Sequence, residues 1–177
     1  MAMTLIATNP DSTDVASMSF TSGIDNTYKL FIFKFTNLNP ATDAANFMFQ
    51  SSTDGGSNYN VATTSSFLKA SHTEAGTNSF AYDTGSDAAQ STSFIKLVDS
   101  MGNDADSSCS GEFHLFNPSS STYATNFYSR ISMHMDTSGS GDHFCGGYIN
   151  TTSAVDAIQF KMNSGNFDGT IKMYGVG

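Results

Sequence analysis

The stretch Lys29-Leu30-Phe31-Ile32-Phe33-Lys34-Phe35 decides the fold class. Its period-two alternation puts Phe31, Phe33 and Phe35 on one face and Leu30 and Ile32 on the other, which reads as a strand buried on both sides. The same period recurs outward from it. Ala16-Ser17-Met18-Ser19-Phe20 alternates before it, and residues 47–51, 59–62, 94–98, 112–116, 127–135, 144–150, 157–162 and 170–174 follow. No stretch of a dozen residues carries a 3.6-residue apolar stripe, so helix is expected only as a turn or two, around Ser86-Asp87-Ala88-Ala89-Gln90. The connections are built from Ser, Thr, Asn, Asp and Gly, and Asn117-Pro118 stops the 112–116 strand because proline donates nothing to a sheet ladder. The sequence therefore predicts an all-β fold, an antiparallel β-sandwich of jelly-roll-like kind with about 8–10 short strands and little helix.

Two local pairings are expected within it. Thr53-Asp54-Gly55-Gly56-Ser57-Asn58 supplies positive-φ residues for a hairpin joining 47–51 to 59–62. Gly165-Asn166-Phe167-Asp168-Gly169 sets up 157–162 and 170–174 as a closing pair of strands. Phe31, Phe33, Phe49, Phe113, Phe160 and Ile171 fall on the apolar side of their patterns and are the expected core.

A chain of 177 residues fits one domain, 1–177, in which residues 1–15 read either as part of the sandwich or as an N-terminal arm. Fifteen Phe and seven Tyr supply the large apolar faces of a chain that has no Trp. Seven Lys and Arg against sixteen Asp and Glu give a net charge of -9, a surface that repels phosphate backbones and anionic headgroups. Neither nucleic acid nor membrane is an expected partner, and the acidity suits solubility at high salt. The longest apolar run, Leu30-Phe31-Ile32-Phe33, is far short of the ~20 residues that span a bilayer. Met1-Ala2-Met3-Thr4-Leu5-Ile6 lacks a basic start and a long apolar stretch, so signal-peptide secretion is not expected.

Candidate chemistry is sparse. Cys109 and Cys145 are too few for a disulfide framework and are expected as two reduced thiols packed as small hydrophobes, with a single bridge as the other reading. Gly102-Asn103-Asp104-Ala105-Asp106 is a better calcium candidate than Gly23-Ile24-Asp25, but it lacks the alternating ligands of an EF-hand loop and reads first as a solvated turn. His72, His114, His134 and His143 read as surface or satisfied core histidines. There is no Gly-x-Ser-x-Gly elbow, and Asp54-Gly55-Gly56-Ser57 precedes a strand pattern and carries no lysine for a phosphate. No catalytic, cofactor-binding or metal-binding residue is assigned, and the chain is expected not to be an enzyme. Tyr59, Tyr82 and Tyr123 could stack on sugars, and the Gly- and Ser-rich stretches 70–90 and 135–142 read as the long loops that would frame such a site.

Three stretches carry a resemblance: Ser51-Ser52-Thr53-Asp54-Gly55-Gly56-Ser57-Asn58-Tyr59, Phe116-Asn117-Pro118-Ser119-Ser120 and Gly169-Thr170-Ile171-Lys172-Met173-Tyr174-Gly175. Together they resemble small jelly-roll virion structural proteins of tailed bacteriophages, particularly marine ones, over most of the chain from about Phe20 onward. The resemblance implies a particle component located in the virion after assembly in the host cytoplasm, with no catalytic residues or cofactor. Such proteins are capsid decoration or cement proteins, or tail-fibre and receptor-binding modules. No repeat of the kind that builds a fibre shaft is present, which favours decoration, with the major capsid protein and a homotrimer of the chain itself as expected partners. A host surface glycan is the partner under the adhesin reading.

Overall fold

The computed structural model describes residues 2–177 and holds thirteen strands, with no helix among the described residues. In chain order they are β1 (Met3–Val15), β2 (Ser17–Phe20), β3 (Leu30–Pro40), β4 (Ala45–Ser52), β5 (Thr63–Thr73), β6 (Asn78–Tyr82), β7 (Ala88–Ser91), β8 (Ile95–Met101), β9 (Cys109–Phe116), β10 (Thr125–His134), β11 (Gly139–Ile149), β12 (Ala157–Met162) and β13 (Phe167–Val176). A nine-stranded sheet runs β1-β13-β3-β9-β10-β11-β5-β6, with β7 also paired to β5, and a four-stranded sheet runs β2-β12-β4-β8. Every strand pairing is antiparallel. The two sheets face each other as a β-sandwich, as the period-two pattern implies.

Phenylalanine holds the layers together. Phe160, from the middle of the small sheet, meets the rings of Phe20, Phe33, Phe35, Phe47 and Phe113 at centroid distances of 5.2–6.4 Å. Phe49 extends the cluster to Phe113 and Phe127. Phe31, Phe33, Phe49, Phe113, Phe160 and Ile171 are all fully buried, the side of each strand that the alternation assigns to the core. In β3 the second face is covered too, since Ile32 is buried and Leu30 half-buried.

Neither expected local pairing forms. β4 lies between β12 and β8, while the chain after residue 58 crosses to the large sheet without joining a ladder until Thr63. The Asp54 turn closes on itself instead: Ser52 Oγ donates to Oδ1 (2.7 Å), and the Asn58 backbone and side-chain amides donate to Oδ1 (2.9 Å) and Oδ2 (2.7 Å). These bonds, Asn58 first, hold the Asp54 carboxyl down at about 2. Likewise β12 and β13 sit in opposite sheets, so residues 163–166 between them are a crossover, and Phe167-Asp168-Gly169 belong to β13 itself. Alternation tells which side of a strand is apolar but not which layer the strand joins.

Three further expectations are corrected. Ala88–Ser91 is strand β7, preceded by a turn in which the Ser86 amide donates to the Asp83 carbonyl (3.2 Å), so the helical turn is absent. The stretch 70–90 is not a loop, because it contains the end of β5, the whole of β6 and most of β7. The stretch 135–142 is a tight turn that enters β11 at Gly139. β6 and β7, together with β1, bring the count to thirteen against the expected 8–10. Residues 3–15 pair along β13 as β1.

Candidate functional site

The outer face of the large sheet, turned away from the small one, is where chemistry-bearing side chains collect. Register builds it in rows, because residues directly opposite each other on neighbouring strands point the same way. One row runs Tyr174, Ile32, His114, Tyr128, Gly146, Ser66 across β13, β3, β9, β10, β11 and β5. Its neighbour on one side runs Lys172, Lys34, Glu112, Arg130, Phe144, Leu68, Tyr82. On the other side run Leu30, Phe116, Asn126, Tyr148 and Thr64.

The middle row is an aromatic stack with an open end. His114 lies parallel to Tyr128 at 4.4 Å and 15°, and Phe116 leans on both. This cover leaves His114 buried although it sits on the outward side of its strand. Tyr128 is covered only from the β9 side. On its β11 side stands Gly146, where a Cβ would meet nothing closer than 3.6 Å. Packing therefore does not demand glycine there, and its bareness leaves the second face of the Tyr128 ring open, with Tyr128 44% exposed. Beside this slot Gln90, at φ 51°, donates from Nε2 to Thr64 Oγ1 (2.7 Å) and the Tyr148 hydroxyl (3.2 Å) and accepts from Asn150 (2.6 Å). Tyr148 thus accepts, and its own proton stays free to donate outward.

The charged row forms two ion pairs, one within the row and one to Asp142 in the next row. Lys34 Nζ meets Glu112 Oε2 at 2.8 Å, and Arg130 grips Asp142 with Nη2–Oδ2 at 2.7 Å while its guanidinium lies 5.1 Å from the Phe144 centroid. The Lys34 ammonium, with His114 second, holds the Glu112 carboxyl below its usual range. His114 Nε2 lies 2.9 Å from Glu112 Oε1, near enough for attraction but out of line for a hydrogen bond. These groups ring a shallow polar depression with Ser110, Gly111 and Ser132.

The residues singled out from the sequence scatter around this face. Asp104 and Asp106 are exposed in the β8–β9 turn, which closes by backbone bonding from Ser107 to Asp104 (2.9 Å) and by Asn39 Nδ2 to the Asp104 carbonyl (3.0 Å). Among the described residues no three His, Cys, Asp or Glu side chains converge as a metal-binding group. Cys109 and Cys145 are free, buried thiols. They sit on β9 and β11 with β10 between, a lateral offset of about 9.6 Å that exceeds disulfide reach. Burial pushes both thiols up, Cys145 to about 12. His72 is exposed, and His134 Nδ1 shares a 2.7 Å hydrogen bond with Ser107 Oγ. His143 faces inward beside Phe67, with Nδ1 accepting from the Asp99 amide (3.2 Å), and burial depresses its pKa to about 4. Of the tyrosines, Tyr59 is half-buried in the β4–β5 connection, Tyr123 is exposed in the β9–β10 loop, and Tyr82 lies on β6 at the rim of the outer face, so they form no common platform.

Tyr128, Tyr148, Phe116 and Phe144 were not singled out. The signal for them is adjacency: Phe127-Tyr128 puts an aromatic on each face of one strand. No protein-family model and no curated protein matches the chain.

Proposed function

We propose that the chain is a non-enzymatic structural component of a bacteriophage particle, a decoration protein that binds the outside of the capsid shell and stiffens it. The observation that supports this reading best is the outer face of the large sheet. From β3 to β6 it is six strands, about 24 Å, across, and set with aromatic and ion-paired side chains in rows. A stable contact needs roughly 800 Å² per partner with an aromatic and Arg core, and this composition matches that chemistry. Repeated over a shell, even weak contacts of this kind act together. The resemblance to small virion proteins supports the address, with the major capsid protein as partner.

The test is co-sedimentation of the purified protein with undecorated capsids of the phage that encodes it. Saturable binding is expected, with strong loss in Arg130→Glu, which sets a third carboxylate beside Glu112 and Asp142. Absence of binding to capsids overturns the reading.

One observation favours a second reading, the host-glycan adhesin. The open ring face of Tyr128 over bare Gly146, flanked by the Tyr148 hydroxyl and Ser66, has the shape and donors to seat one pyranose ring. Under that reading Gly146→Val fills the slot and abolishes binding to host cells, whereas under the decoration reading host cells are not bound at all.

A further inference from the structure

We propose that the chain pairs with a second copy of itself through β6, strand to antiparallel strand, about a two-fold axis at Phe80. This goes beyond the reading above and does not depend on what the outer face binds.

The argument begins with the backbone of β6. Thr73 N–H donates to the Thr77 carbonyl (2.8 Å) and Asp83 N–H to the Phe67 carbonyl (2.9 Å), so hydrogen-bonded pairs bracket the β5–β6 ladder at both ends. Between them the register pairs His72 with Asn78, Ser71 with Ser79, Ala70 with Phe80, Lys69 with Ala81 and Leu68 with Tyr82. Bonded and non-bonded pairs alternate in an antiparallel ladder, so Ser79 and Ala81 bond to β5. Asn78, Phe80 and Tyr82 therefore direct their N–H and C=O groups away from β5, to an edge where no further strand lies among the described residues. Three donors and three acceptors stand in one row.

The side chains suit pairing as well. All five residues of β6 are exposed, and Phe80 and Tyr82, 71% and 50% accessible, lie on the same face of the sheet with Asn78. Ser79 and Ala81 on the opposite face add no bulk. In a chain of net charge -9, β6 reads Asn-Ser-Phe-Ala-Tyr, without a single charge. Sheet edges are usually blunted by charges, bulges or brevity. The other edges here show those devices: β1 is broken by three register shifts, β8 carries the Lys96–Asp99 ion pair, and β2 and β7 have four residues each. β6 has five residues and no charge or bulge.

Centred on Phe80, the pairing sets Phe80 opposite the second copy's Phe80 and Asn78 opposite its Tyr82, and the symmetry repeats the second contact. All six outward groups on each copy then bond, three N–H donating and three C=O accepting per strand. A strand that pairs antiparallel with itself closes by a two-fold axis, so this geometry favours a dimer where the sequence suggested a three-fold assembly. The net charge of -9 repeats on each copy, so screening makes the dimer tighter at higher ionic strength.

Sedimentation equilibrium of the full chain over a wide concentration range, at low and high salt, tests this. A monomer–dimer equilibrium strengthened by salt is expected. Phe80→Pro removes an N–H that points to the second copy and not to β5, so the hairpin keeps its own ladder; the variant is expected to be monomeric with unchanged circular dichroism and melting temperature. Phe80→Asp, which places two carboxylates across the axis, is the second variant and is expected to be monomeric at low salt. A wild-type chain that stays monomeric throughout, a trimer mass, or dimers that survive both substitutions each overturn the proposal.

Discussion

Acid should loosen this sandwich through one side chain, His143. Its ring is buried between the sheets against Phe67, it accepts a hydrogen bond from the Asp99 amide, and the nearest charges are Asp99, Lys69, Asp83 and, on its own strand, Asp142. Burial dominates and lowers the pKa from 6.5 to about 4, with the Asp99 charge opposing it only in part. The folded form therefore holds His143 neutral at a pH where the unfolded chain already binds a proton. Above about pH 6.5 neither form is protonated and the residue costs nothing. As the pH falls from about 6.5 to about 4 the unfolded state gains protons first, and the loss of stability accumulates to about 3 kcal/mol at 1.36 kcal/mol per unit. Against a typical total of roughly 5–15 kcal/mol that is a large fraction. The carboxylates act lower: Lys69 holds Asp83 at about 2, so its contribution is present above about pH 4 and is lost as the pH falls through about 2. The assay is urea unfolding at half-unit steps between about pH 8 and 4.5, on the wild type and His143→Gln. The wild type should lose stability steadily below about pH 6.5, and the variant, whatever its stability at pH 8, should show a much flatter slope. Equal slopes in the two proteins would refute the reasoning.

Phe160→Ala should cost about 3–5 kcal/mol, at the upper end because five rings lose their common neighbour; urea unfolding checks it, and a loss under ~1 kcal/mol would mean the sheets do not meet at Phe160. Cys109 and Cys145 should resist a thiol reagent in the native protein and react together on unfolding, read by absorbance; prompt labelling of either would contradict their burial.

The fold class was legible because Phe31, Phe33 and Phe35 state their parity without ambiguity, and the same parity placed Phe49, Phe113, Phe160 and Ile171 in the core. Layer assignment was not legible. Asp54-Gly55-Gly56 has the residues of a hairpin turn, yet the bonds around the Asp54 carboxylate close it locally and the next strand joins the opposite sheet. The candidate face was hidden for a related reason. His114, Tyr128 and Gly146 are distant in sequence and form a row only once β9, β10 and β11 are known neighbours. His143-Phe144-Cys145 inverts the usual rule: the histidine is buried facing the core, while Phe144 faces outward and is covered by Arg130. Hydrophobicity alone would point that strand the wrong way.

The functional claim is that the chain coats a phage shell, and its copy number in the particle tests that most directly. Quantitative mass spectrometry of purified virions, with the major capsid protein as internal standard, should find it on the order of hundreds of copies per particle, in fixed proportion to the shell subunit. A few tens of copies or fewer, in proportion to tail proteins, would contradict decoration and assign the chain to the tail.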